Sequence, residues 1–346
     1  MGIHNLLTVC PDAKDATSFY RGIGPLSHLR KFSKINFRVN IATDVNWASI
    51  AMCDSCFMQR PFTDQHLQIA KMIKAQGLPI WIDYDDDLFN VPKDNPTYHV
   101  YGNPKIQKNV AELIAMANIV SVSTEHLKRR FQDEKALLNK NVVVIPNGFN
   151  KRIVHDTSKL PTQNLVLWRG SATHARDLHT YADQMVEMFY KHENFTWCFI
   201  GPKKSEMWFL ADRMVSKGDK DRVVFIDAQD PIEYFKFLKI AAAKIQIVPL
   251  HDSTFNRAKS NIAWIEGSYA GSACLVPDWE EWQRPGTFRY ESPEHFGVCL
   301  DEMLKMHENL GAPVAQSWDH ITQWLTLDEV NKKREAILAQ LSGMTR

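Results

Sequence analysis

Residues 245–276 read IQIVPLHDSTFNRAKSNIAWIEGSYAGSACLV. The segment opens on a short apolar run, Ile245–Val248, and closes on another, Ala273–Val276. Continuous apolar runs of this length suit parallel strands buried on both faces. Between them lie a polar loop, Pro249–Asn261, and a helical pattern over Lys259–Ala270. Strand, loop, helix and strand in that order make a βαβ unit.

The same alternation runs outward along the chain. Candidate strands are Ile3–Val9, Phe37–Ile41, Ser49–Cys53, Pro79–Ile82, Ile119–Val122, Val142–Ile145, Leu165–Trp168, Thr196–Ile200 and Val223–Ile226. Helical patterns such as Asp64–Ala75, Lys105–Ala117, Asp177–Tyr190 and Pro231–Ala242 fall between them. This predicts an α/β protein built of open sheets with helices on both faces. The polar stretch 147–163 has no clear period and reads as an inter-domain linker. The expected domains are residues 1–150 and 151–317. Residues 318–346 are expected to form C-terminal helices that cap the second domain or cross back to the first.

Composition excludes several classes. With 45% hydrophobic and 23% charged residues, the chain is neither disordered nor a coiled coil. No window holds the roughly 18 apolar residues of a membrane helix. Six cysteines are too sparse for a disulfide scaffold. The pair in Cys53-Asp54-Ser55-Cys56 lacks the second pair that a zinc site needs. No signal peptide is visible, and the expected setting is reduced and intracellular. Residues 1–150 hold 17 Lys/Arg against 14 Asp/Glu, and the rest holds 24 against 26. From Ala16 to Thr43 there are five cations (Arg21, Arg30, Lys31, Lys34 and Arg38) and no carboxylate. Such a patch suits phosphate or nucleic acid, with a solvated helix face as the plain alternative.

In a doubly wound sheet, ligands sit beyond the carboxyl ends of the strands. The loops that follow the apolar runs are therefore the candidate site. In Arg21-Gly22-Ile23-Gly24-Pro25, the glycines would let a backbone approach a phosphate or sugar; a plain turn is the competing reading. The stretch Asp83-Tyr84-Asp85-Asp86-Asp87 places four carboxylates at a strand end. It invites a general-base or metal reading, against an acidic helix cap. Arg169, beside Gly170 and Ser171, would hold a phosphate bidentately. His174 reads as a capping or satisfied polar group. Lys259 at a helix start opposes the macrodipole, a placement that a bound pyrophosphate would explain. No Walker loop and no Gly-x-Ser-x-Gly elbow is present.

Taken together, the chain resembles the GT-B glycosyltransferases of the large retaining group. The residues that carry the resemblance are Ile145-Pro146-Asn147-Gly148 at the join, Arg169-Gly170-Ser171 with His174, and Lys259-Ser260 followed by Trp264 to Gly271. The resemblance implies two Rossmann-like domains facing each other across a cleft. It implies that Arg169 and Lys259 hold the diphosphate of a nucleotide-sugar and that Glu266 takes the ribose hydroxyls. Asp227 and Gln229 would meet the nucleobase, and Gly22 and Gly24 would lie over the donor. Gly170, Ser171, Asn256 and Ser260 complete the expected donor site. The family often has a second Glu where Ala258 stands here, so Asp252 or Asn256 is expected to replace it. If the reaction inverts, Asp83 or Asp85 would deprotonate the acceptor. No cofactor is implied, and no divalent metal is expected to be required.

Segments Ser49–Pro61 and Trp81–Leu88 also resemble phage-encoded glycosyltransferases that act on hydroxymethyl-pyrimidines in DNA. The favoured acceptor is accordingly double-stranded DNA, contacted by Arg30, Lys31 and Lys34, in a host cytoplasm. The alternative acceptor is a cell-envelope glycan or lipid. A rival of another class is a non-catalytic module that binds a nucleotide or sugar.

Overall fold

The computed structural model describes residues 4–11, 16–133, 141–151, 163–201, 207–215 and 219–344. They form two parallel six-stranded sheets. The first contains β1 (His4–Val9), β2 (Ile35–Asn40), β3 (Ser55–Gln59), β4 (Ile80–Tyr84), β5 (Ile119–Val122) and β6 (Val142–Val144), in the spatial order β2-β1-β3-β4-β5-β6. The second contains β7 (Gln163–Arg169), β8 (Thr196–Ile200), β9 (Val223–Ile226), β10 (Ala243–Ile247), β11 (Ala273–Pro277) and β12 (Phe288–Tyr290), in the order β12-β11-β10-β7-β8-β9. In each sheet the chain winds outward on one side and then restarts on the other. The strand order reverses between β1 and β3, and again between β7 and β10.

Burial on both faces explains the continuous apolar runs. Along β3 and β4, Cys56, Met58, Ile80 and Ile82 pack on one side with Ile69, Ile73 and Leu113. Their neighbours Phe57 and Trp81 pack on the other with Leu6 and Leu26. That second face is completed by Val330, Ile337 and Leu341 from the last helix, Leu327–Met344. The final helix therefore belongs to the first domain, while Ile321 of the preceding helix, Gly311–Trp324, packs in the second. Both crossings meet at one place. Phe149 N–H donates to Leu325 O (2.6 Å), and Leu327 N–H donates to Phe149 O (2.8 Å). Most of the expected linker, residues 152–162, lies outside the described residues.

One expected strand is a helix. Residues Trp47–Ala51 are helical, and the neighbouring strand is Ser55–Gln59 rather than Ser49–Cys53. A short apolar run does not distinguish the two states by itself. Here Asn46 decides, because its side chain accepts the Ser49 N–H and caps a helix start. The short strand β12 was also not among those expected from the sequence.

Candidate active site

The carboxyl ends of the two sheets meet, which is where the crevice rule for open sheets places a ligand. Between them is a cavity of about 230 Å³. Tyr20, Arg21, Asp85, Asp86 and Asn147 line it from the first domain. Trp168, Arg169, His174, Lys259, Ser260 and Glu266 line it from the second. Several bonds join the walls directly. Tyr20 O–H donates to Glu266, Asn147 Nδ2 donates to Ser260 Oγ at 2.8 Å, and Thr124 Oγ1 donates to Ala258 O at 3.0 Å.

Glu266 organises the second-domain wall. Its buried carboxylate lies 2.6 Å from Arg169 Nη2 and accepts the Tyr234 hydroxyl at 3.0 Å. Burial, and then the charge of Glu266, hold the Tyr20 and Tyr234 hydroxyls well above their ordinary pKa, so both are neutral donors. Burial opposes the charge on Arg169 most strongly, but Glu266 together with Tyr234 and Tyr20 outweighs it and holds the guanidinium pKa above its usual value. The Arg169–Glu266 contact is close but is not aligned as a hydrogen bond. Arg169 Nε and Nη2 are buried and have no hydrogen-bond acceptor among the described residues. Lys259 has no carboxylate within ion-pairing distance among the described residues; its Nζ lies 5.2 Å from the Phe255 ring. The adjacent helix begins at Ile262, so Lys259 precedes it instead of opening it, contrary to the sequence reading. A cleft with an uncompensated Lys259 beside buried Arg169 N–H groups that lack an aligned acceptor suits an anion.

The four clustered carboxylates of the first domain do not form an open acidic patch. Asp83 is 1% exposed and does not line the cavity. Arg21 grips it with two bonds, Nε to Oδ1 at 2.9 Å and Nη2 to Oδ2 at 2.7 Å, and Ser121 O–H donates to it as well. Asp85 does line the cavity, but both its oxygens accept from Arg60, at 2.8 and 2.6 Å. The same guanidinium reaches Asp86 at 2.9 Å. Asp87 accepts from Asn90 at 2.8 Å and pairs with Arg130. Burial raises the Asp85 pKa, Arg60 pulls it down, and burial prevails. Arg60 has φ 46°, a left-handed conformation that a non-glycine residue adopts only under constraint. Arginines thus occupy positions where the sequence alone left a metal conceivable. Among the described residues, no three His, Cys, Asp or Glu side chains are grouped to hold one.

Several expected site residues lie elsewhere. Gly22 and Gly24 are not in the cavity wall. A Cβ on Gly22 would meet Gln59 Oε1 at 2.4 Å, and one on Gly24 would meet Phe19 O at 2.0 Å. They are glycines because the junction between helices Ala16–Arg21 and Ile23–Leu29 is tight. Gly170 leaves room for the Trp168 and His174 rings, and Ser171 caps the short turn Ala172–His174. Asn256 is buried and holds Asp177 (2.8 Å) and the His251 carbonyl (2.9 Å). Asp252 pairs with Arg257. Asp227 and Gln229 are exposed beyond β9 and outside the cavity lining. Arg30, Lys31 and Lys34 are exposed in the turn that enters β2 at its N-terminal end. The cavity lies at the opposite, carboxyl end of that sheet. A six-residue strand at about 3.3 Å per residue separates the two by roughly 20 Å.

Tyr20, Tyr234, Arg60 and Asn147 belong to the site or support it, and residue chemistry alone singled out none of them. For three of them the signal was position, since Tyr20, Arg60 and Asn147 all follow first-domain strands; Tyr234 lies in the second-domain helix Pro231–Ala241.

No protein-family model and no curated protein matches the chain. Solved structures do. An E. coli structure described as trehalose-6-phosphate bound with UDP-2-fluoro glucose aligns with TM-score 0.66 at 12% identity, over 97% of this chain and 99% of that one. A glycosyltransferase from Rickettsia africae aligns with TM-score 0.67 at 12% identity, over 98% of each chain. S. aureus TarM in a complex containing UDP aligns with TM-score 0.61 at 11% identity, over 82% of this chain and 56% of that one. The fold is GT-B. Identities this low establish that architecture and leave the chemistry to the site. Among the described residues, no helix of this GT-B chain is long and apolar enough to cross a membrane.

Proposed function

We propose that the chain transfers a sugar from a nucleoside-diphosphate sugar to an acceptor hydroxyl. The observation that carries this reading is the pairing of Arg169, with its unbonded buried N–H groups, and the uncompensated Lys259 on one wall of the cleft. These groups match a diphosphate, and their charge counts most as that diphosphate departs. Glu266 is the ribose ligand. A carboxylate offers about four acceptor positions. Tyr20 and Tyr234 take two and the Arg169 guanidinium stands against one oxygen, so a ribose diol displaces the Tyr20 hydroxyl. In the transfer, the bond between the anomeric carbon and the phosphate oxygen breaks, and a bond to the acceptor oxygen forms. The acceptor proton goes to the departing phosphate in a retaining reaction, or to Asp85 in an inverting one. Asp85 takes that role because Asp83 is sealed behind Arg21. Trehalose-6-phosphate synthase, a structural neighbour, is described as transferring with retention.

The test is calorimetric titration with UDP-, GDP-, ADP- and dTDP-sugars, followed by transfer and hydrolysis assays. Binding with turnover supports the reading. Binding without any turnover favours the non-catalytic module, and no binding removes the donor site. Transfer is expected to persist in excess EDTA, because Arg169 and Lys259 already meet the diphosphate charge. Complete loss in EDTA, restored by Mg²⁺ or Mn²⁺, would overturn that mechanism.

For the acceptor, the position of the cation patch favours the alternative, a hydroxyl of a cell-envelope glycan or lipid, over DNA. The cations that suggested DNA lie at the far end of the first sheet, and Arg21, the fifth of the patch, is buried on Asp83. Arg30, Lys31 and Lys34 therefore do not line the cleft in which transfer would occur. Replacing those three by alanine is expected to leave sugar-nucleotide affinity and transfer unchanged. Loss of transfer, together with a shallower salt dependence of DNA binding, would reinstate the nucleic-acid acceptor.

A further inference from the structure

His174 lines the same cavity, yet the donor reading gives it no task. Its ring is fixed rather than free. Nδ1 lies 2.7 Å from Asp177 Oδ2. Asp177 is itself held by the His251 N–H (2.9 Å) and the Asn256 amide (2.8 Å), both on Oδ1. On the ring's other side, a Cβ at residue 170 would stand 3.0 Å from His174 Cδ2, so the glycine there preserves the ring's place. Nε2 has no partner among the described residues and is not a sealed atom. The side chain is 18% exposed, and what it faces is the anion cavity.

We propose that His174 is a proton-coupled anion ligand, taking up a proton as the diphosphate of the donor arrives and adding a third positive charge to those of Arg169 and Lys259. This rests on the donor reading above and goes beyond it, since it makes donor affinity depend on pH. The surrounding charges give the sign. Arg169 comes from β7, Lys259 from the turn before helix Ile262–Tyr269, and Asp177 from the ring's own helix. Glu266, Asp85, Asp86 and Arg21 line the rest of the cavity. In the free protein, burial and then Lys259 lower the His174 pKa below its usual value, and Asp177 does not fully compensate. The neutral ring gives its Nδ1 hydrogen to Asp177, which leaves the Nε2 lone pair without a partner among the described residues. A phosphate oxygen would be repelled by that lone pair and attracted by an N–H. The negative charge of the donor therefore raises the pKa and draws in a proton. A group whose pKa is raised by binding favours the complex at low pH. That gain is complete below the free-state pKa and disappears as pH rises through the bound-state pKa. Between the two values the dissociation constant rises by up to about tenfold per pH unit, the limit for one coupled proton.

The experiment is calorimetry of the intact chain with the sugar nucleotide that binds best from the panel above. It is run from about pH 5.5 to 8, the range in which an imidazole titrates, in paired buffers of different ionisation enthalpy. The diphosphate of a sugar nucleotide is a diester and does not itself titrate there. The expected result is uptake of up to one proton per donor and an affinity that falls with rising pH. His174→Gln is expected to abolish the uptake and flatten the profile at the weak end. His174→Lys is expected to flatten it at the tight end, because the charge is then permanent. A wild-type chain that binds donor with no proton uptake overturns the inference and leaves the donor reading standing, as does equal uptake by His174→Gln. A wild-type chain that binds no sugar nucleotide overturns both.

Discussion

Arg21→Ala is expected to destabilise the first domain by about 3–5 kcal/mol, the usual cost of stripping one partner from a buried ion pair. Arg21 and Asp83 are each 1% exposed. Beyond its two bonds to Asp83, the Arg21 guanidinium donates to Ile145 O at 2.6 Å and Asn147 Oδ1 at 3.2 Å. Truncation strands a carboxylate that keeps only the Ser121 hydroxyl, and it unties the strand β6 exit that carries Asn147. One nearby group softens the loss. Arg334 is buried, and burial followed by the charge of Arg21 pushes its pKa down to about 9. Without Arg21, Arg334 keeps its attraction to Asp83 and loses a repulsion, which places the effect near the lower end of the range. The measurement is the denaturant midpoint at unchanged slope. Arg21→Met with Asp83→Leu is expected to recover most of the loss, because removing both partners leaves no stranded charge. A single-variant cost under about 1 kcal/mol would show that water reaches Asp83 and replaces the lost guanidinium.

That ion pair also marks where reading the sequence stops. The period of apolar runs placed most strands correctly, because strands covered on both faces carry no other pattern. The crevice rule then pointed to loops that do meet, since Arg169, Lys259, Ser260 and Glu266 line one cavity. The rule says which loop faces the cleft, but not which of its side chains is already engaged. Arg21 meets Asp83 across 62 residues, and Arg60 meets Asp85 across 25. Such pairings depend on strand order, which a linear pattern does not contain. A run of Asp therefore invited a general-base or metal reading when Arg21, Arg60 and Arg130 between them engage all four members. The glycines failed for a related reason. Gly22 and Gly24 answer to Gln59 and Phe19, close neighbours that only the folded chain brings there. The cation patch failed by direction, since a helix that starts at the cleft ends at the far edge of the sheet.

Arg169→Ala is expected to lower turnover by roughly 10²–10³, about 2.7–4 kcal/mol, the scale for removing one donor that meets developing charge. The fold is expected to survive, because Glu266 keeps the Tyr20 and Tyr234 hydroxyls and remains hydrogen-bonded. Glu266 then loses its neighbouring cation, so a modest loss of stability accompanies the kinetic effect. The two effects separate in single-turnover measurements at saturating donor. An interaction that strengthens as the diphosphate leaves affects the chemical step more than binding, so kcat falls further than donor affinity. Arg169→Lys makes the sharper comparison. It restores a positive charge but not the planar fork, and it cannot present Nε and Nη2 hydrogens at once. Partial recovery of rate by lysine would assign the missing part to geometry, and full recovery would assign all of it to charge. Wild-type turnover in Arg169→Ala would remove the diphosphate from this wall of the cleft. The buried N–H groups of Arg169 would then need another acceptor, and the nearest group able to provide one is Glu266, turned away from the ribose.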